Sequence, residues 1–161
     1  MHKKLRAPVR GLRLAVASAA IALVASVFAL PAEAHMSLET KSAPPGTYKA
    51  VFGVPHGCKA APTTKVTITI PEGIIGVKPM PKPGWTVSVT KGPYARTYDY
   101  FHGMKLSEGV KEVVWEGGSL PSDQFDEFTL VGFISDAFKP GDYVYFPARQ
   151  DCPERDPQGR R

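Results

Sequence analysis

The sequence predicts an all-β protein, an antiparallel β-sandwich, on three observations. Apolar and polar residues alternate with period two through most of the chain beyond residue 34. Turn-forming clusters punctuate the alternation at short intervals: Pro44-Pro45-Gly46, Pro55-His56-Gly57, Pro71-Glu72-Gly73, Pro83-Gly84, Gly117-Gly118 and Lys139-Pro140-Gly141. No stretch beyond residue 34 sustains a helical period. Seven or eight short strands at this spacing fit a sandwich, although periodicity alone leaves the strand order open.

Taken in order, Met36–Glu39 reads as a short strand, and Tyr48, Ala50, Phe52 and Val54 form the inward row of the next. In Thr64–Ile70, Val66, Ile68 and Ile70 face one way while Lys65, Thr67 and Thr69 face the other. Trp85, Val87 and Val89 alternate with Thr86, Ser88 and Thr90. Tyr94–Phe101 and Val110–Glu116 follow as further strands, Phe128, Leu130 and Ile134 make another inward row, and Asp142–Phe146 closes the series. Tyr94, Tyr98 and Tyr100 can form either a sugar-stacking strip or a set of packed cross-strand pairs, and packing is the ordinary use of such a row.

Residues 1–34 have the three zones of a secretory signal. Lys3, Lys4, Arg6, Arg10 and Arg13 precede the uncharged run Leu14–Leu30, and Ala32-Glu33-Ala34 puts small residues before His35. A retained anchor is the rival reading, since such a run is at the short end of what spans a bilayer. Cleavage removes five of the 20 basic residues and one of the 15 acidic ones, leaving 127 residues with a net charge of +1. One domain with a sizeable core is expected, soluble, without a membrane span and without the basic face a nucleic-acid partner requires. Residues 35–152 would form the domain. Residues 153–161, with hardly a hydrophobe, read as a disordered tail.

Both cysteines, Cys58 and Cys152, fall in the exported part. In a periplasmic or extracellular space such a pair forms a disulfide, and closing so long a loop stabilises by roughly 4–5 kcal/mol in the chain-entropy model. The alternative is a thiolate metal ligand beside His56.

A histidine at a free N-terminus is a chelator, because its α-amine and ring nitrogen close one ring on the same ion, and such nitrogen donors suit copper. His35 takes that role only if cleavage falls between Ala34 and His35, because one extra residue turns the amine into a poorly coordinating amide; the alternative is that His35 is merely an exposed terminal residue. Met36, Met80, Met104, His56 and His102 are scattered singly, as core fillers and turn residues are. The sequence holds no Gly-x-Ser-x-Gly, no His-Glu-x-x-His and no phosphate-cradling loop. The acidic run Asp123–Glu127 suits a polar hairpin.

Together His35, Val54-Pro-His-Gly-Cys58, Thr63-Thr64 leading into Ile70-Pro-Glu-Gly73, Pro83-Gly-Trp85, Val114-Trp-Glu-Gly-Gly-Ser-Leu-Pro121, Phe125–Phe128 and Phe146-Pro-Ala-Arg-Gln-Asp-Cys152 resemble the YcnI-like domain family of exported bacterial proteins. The resemblance implies a sandwich of immunoglobulin-like or cupredoxin-like type with one disulfide, and a copper-binding role. It implies that the amine and imidazole of His35 hold the ion, with a carboxylate and a tryptophan nearby. Glu39 is the nearest carboxylate in sequence, but lies about 13 Å along an extended strand. Glu116 and Glu127 are the other carboxylate candidates, and Trp85 or Trp115 must stand in for a tryptophan that family members carry beyond the second cysteine. The expected function is that of a periplasmic or secreted copper carrier, chaperone or sensor, not a catalyst, with other exported copper-handling proteins or a membrane copper transporter as partners. The alternatives are an oxidative copper enzyme, which needs a second histidine such as His56 or His102, and a metal-free interaction domain.

Overall fold

The computed structural model describes residues 36–58 and 61–153. The expected leader, His35 and the tail from residue 154 lie outside them. Among the described residues eight strands form two antiparallel sheets. The first sheet has the order β1 (Ser37–Leu38), β2 (Gly46–Val54), β7 (Asp126–Ile134), β4 (Ile74–Pro79). The second has the order β5 (Thr86–Asp99), β6 (Lys105–Leu120), β3 (Thr63–Thr69), β8 (Ala148–Asp151).

The inner faces pack as the alternation requires. Ala50, Phe52 and Val54 of β2, with Phe128 and Leu130 of β7, meet Val66 and Ile68 of β3 and Val113 and Trp115 of β6 in one buried core. Trp115 is fully buried, stands edge-on to Phe128, and its indole N–H donates to the Met80 carbonyl at 3.1 Å. An indole can lie this deep only because that donor is satisfied. Tyr94 and Tyr98 pack edge to face against each other in a second cluster with Ile75, so this row is a packing device and not a sugar strip.

Two expectations are corrected by the ladder. Trp85–Thr90 and Tyr94–Phe101 are not two elements; β5 runs unbroken from Thr86 to Asp99, because bulges absorb the Lys91-Gly92-Pro93 interruption. Pro93 is tolerated because β5 is an edge strand and needs no donor on its free side. Asp142–Phe146 is not a strand: Val144 and Phe146 do turn inward, but the segment crosses from the first sheet to the second and pairing begins only at Ala148. The sequence reading did not single out Ile74–Pro79 or Ala148–Asp151, both edge strands.

The two ends of the sandwich differ. One end gathers the start of β1, the Pro55–Cys58 loop and the Cys58–Cys152 disulfide. The other carries the β5–β6 hairpin tip and the Pro71–Gly73 turn. There the Glu72 carboxylate accepts bonds from the Ala95 amide, the Tyr98 hydroxyl and the Lys111 ammonium at 2.7–2.9 Å, tying three elements together. Burial pushes its pKa up, but these donors outweigh it and hold the carboxyl below its ordinary value.

Candidate functional site

The disulfide end is assembled by its motifs. Cys58 and Cys152 are bonded to each other, 6.0 Å between Cα atoms, so neither is a thiolate ligand. The bridge fastens the end of β8 to the Pro55–Cys58 loop, and Gln150 reinforces it: its amide donates to the His56 carbonyl at 2.8 Å and to the Thr63 hydroxyl at 2.5 Å. Gly57 is required by close approach, since a Cβ there would lie 2.3 Å from the Ala61 carbonyl oxygen and 3.1 Å from the Ser122 Cα.

His56 is exposed, with Nδ1 2.8 Å from the Gly57 carbonyl. A carbonyl only accepts, so the Nδ1 N–H is the donor in this contact, and Nε2 makes no hydrogen bond among the described residues. His102 sits at the hairpin tip, at the other end of the molecule, with the left-handed φ of 56°. Of the two internal histidines weighed above, only His56 shares an end with the start of β1.

β1 enters the first sheet here. Ser37 lies opposite Gly53, Leu38 opposite Phe52, and the Glu39 amide donates to the Val51 carbonyl at 3.0 Å. Ser37 and Leu38 are therefore extended, and the chain bends at Glu39. Met36 and Leu38 turn toward the core, whereas Ser37 and Glu39 are exposed on the outer face. Paired residues point to the same side of a sheet, and Gly53 lies opposite Glu127 of β7, so Glu127 shares that face. Glu39 and Glu127 are both exposed. Strand spacing places their Cα atoms roughly 12 Å apart, which makes them alternatives for one small ion more than partners on it. Glu116 pairs with Lys65 at 3.4 Å on the outer face of the opposite sheet, away from β1.

The tryptophans divide in the same way. Trp115 is sealed in the core with its N–H engaged. Trp85 is only half-buried, edge-on to Phe128, at the end where β1 begins. The sequence reading quoted Phe125 only within a family motif and gave it no role; its ring is 61 % exposed and lies over Gly53, where a Cβ would stand 3.0 Å from it and 3.6 Å from the Ser37 hydroxyl. The sequence reading missed Lys82, whose ammonium bonds the Asp126 carboxylate at 2.6 Å and the Glu127 carbonyl at 3.0 Å. The signal for Phe125 was a glycine in an otherwise bulky strand; Lys82 had none.

Among the described residues no three His, Cys, Asp or Glu side chains converge on one point. His35, the first predicted ligand, lies outside these residues, and the structure describes Glu39, the second, as a solvent-exposed carboxylate three residues along from Met36. Among the described residues no helix is long and apolar enough to cross a membrane. The disulfide fits an oxidising compartment.

A family model described as a domain of unknown function, DUF1775, matches residues 35–158. Among solved structures the chain is similar to an uncharacterized protein from Nocardia farcinica whose crystal structure reveals an immunoglobulin-like fold. The identity is 24% over 80% of this chain and 81% of that chain, with a TM-score of 0.48. No curated protein matches the chain.

Proposed function

Because the chain belongs to the DUF1775 family, the domain that YcnI-like proteins carry, we propose that it is an exported copper-binding protein that carries, delivers or senses the ion without catalysing a reaction. Copper is its cargo. Cleavage between Ala34 and His35 would free the α-amine, and that amine with the imidazole of His35 supplies two nitrogen donors. A carboxylate, Glu39 or Glu127, supplies an oxygen.

The observation that carries this reading is the register of β1. Pairing of Ser37 with Gly53 brings the chain onto the sheet at Met36, at the end where the His56 ring is exposed and on a strand whose outward row shares its face with Glu39 and Glu127. The donors at this end are nitrogen and oxygen, the thiols are paired and Met36 is turned to the core, a set that suits Cu(II). Trp85, half-buried at the same end, is the tryptophan that would shield the ion, since Trp115 is sealed in the core.

Competition against a chromophoric chelator tests the reading. Mature protein beginning at His35 should take one Cu(II), and one of Glu39→Gln or Glu127→Gln should weaken binding by about tenfold while the other has little effect, as expected for loss of one charged ligand. Protein that takes no copper after chelator treatment contradicts it and favours a metal-free interaction domain. The position of His56 also favours a second reading, an oxidative copper enzyme with two histidines. Ascorbate-driven peroxide production that His56→Ala abolishes would support it over the carrier.

A further inference from the structure

At the opposite end from the disulfide, the edge of the sandwich between β1 and β8 is closed by irregular backbone, and it is not closed tightly. A cleft of about 680 Å³ lies between the 40–45 segment and the 138–146 crossover. Its floor is apolar: Leu38, Tyr48, Ile134, Phe138, Val144 and Phe146 all pack on or belong to the main core. A second cleft of about 650 Å³ adjoins it, sharing Pro45, Ile134 and Phe138, and continues over Tyr100, Phe101 and Phe133. These last three rings pack edge to face or tilted, and Phe101 is 42 % exposed.

Charge is distributed unevenly along this trough. Asp99 and Asp136, which line the aromatic part, are neutralised by Lys105 at 2.6 Å and Arg96 at 2.7 Å. Lys41 and Lys139, which line the first cleft, make no ion pair among the described residues. The one carboxylate beside them, Asp142, accepts from the Lys139 backbone amide at 2.8 Å and closes its own turn. Across residues 143–146 the backbone forming one wall has no strand partner.

From this we propose that the trough binds one amphiphilic carboxylate in monomeric form, a fatty acid or close analogue. Its headgroup sits between Lys41 and Lys139 and its chain lies along Ile134 and Phe138 toward Phe101. Apolar concave sites of this size with a few polar groups at one end are the usual form of a small-molecule site. The cleft reaches β1 at Leu38, beside Glu39, so the titration is run on copper-free protein to keep the two sites distinguishable.

The test is a calorimetric titration of the mature protein with dodecanoate below its micellar concentration, beside dodecanol and dodecyltrimethylammonium. One-to-one binding of dodecanoate is expected, with the cation excluded. Lys41→Ala with Lys139→Ala, both on the surface, should weaken dodecanoate by at least about tenfold, the loss of charge-assisted bonds, and leave dodecanol unchanged. Methyl shifts of Leu38, Ile134 and Val144 should report the binding. No dodecanoate binding, equal binding to the double variant, or uptake only by anionic phospholipid vesicles and not of the monomer would each overturn the proposal.

Discussion

Glu72 shows at the scale of one residue how this fold depends on pH. Lys111, the Ala95 amide and Tyr98 hold its carboxyl below the ordinary value despite the opposing effect of burial, and Asp99 is lowered by its bond to Lys105. A depressed acid contributes stability above its unfolded pKa and loses it as pH falls through the folded one. Stability should therefore be flat near neutrality and decline below the ordinary carboxyl range. Glu72→Gln should flatten that acid limb in denaturant titrations at several pH values. At the core, Phe128 stands edge-on to Trp115 and Trp85 at once. Phe128→Ala should cost about 3–5 kcal/mol, read by chemical denaturation, and should loosen Trp85 as well, seen as a red-shifted emission.

Among the elements, β8 is the one most directly held by the disulfide, which follows it at Cys152. It is four residues long, sits at an edge, and pairs only with β3. Reducing Cys58–Cys152 should remove several kcal/mol, up to the roughly 4–5 kcal/mol of the entropic model. Amide exchange should rise first at Ala148–Asp151 and the Pro55–Cys58 loop. Protection unchanged in β8 after reduction would show that Gln150 and the ladder suffice. These elements also mark how far the sequence could be read. Tyr48–Val54 and Thr64–Ile70 were legible because one face is core and the other solvent, which is what period two encodes. Ala148–Asp151 was not, because an exposed edge strand, Ala-Arg-Gln-Asp, carries no apolar row. Asp142–Phe146 was misread because Val144 and Phe146 alternate with Tyr143 and Tyr145 as in a strand, yet the backbone there has no neighbour to pair with. Alternation reports which side is buried, not whether a ladder exists.

For the whole molecule, the sandwich carries two candidate surfaces. One end offers His56, Glu127 and the start of β1; the apolar trough with its two lysines opens toward the other end and reaches Leu38, beside Glu39. The candidate site was legible in sequence as far as single residues go, from the signal-like segment before His35 and the His-Gly-Cys motif. What sequence could not supply was the register that sets Glu127 on the same face as Glu39 and sends Glu116 to the opposite sheet. That information is long-range pairing, to which local pattern is blind. Copper uptake by a terminal amine should also fall as pH drops below the α-amine range of about 7.7–8.0, since the proton competes for the ligand.

The central claim is that His35 becomes the N-terminus and holds copper through both of its nitrogens. It is tested most directly by an EPR-monitored Cu(II) titration of protein recovered after export, with its start at His35 confirmed by mass, beside a version with one glycine added before His35. The account predicts one-to-one binding with nitrogen couplings that the added glycine weakens sharply. Equal binding by the two forms, or none by either, would contradict it.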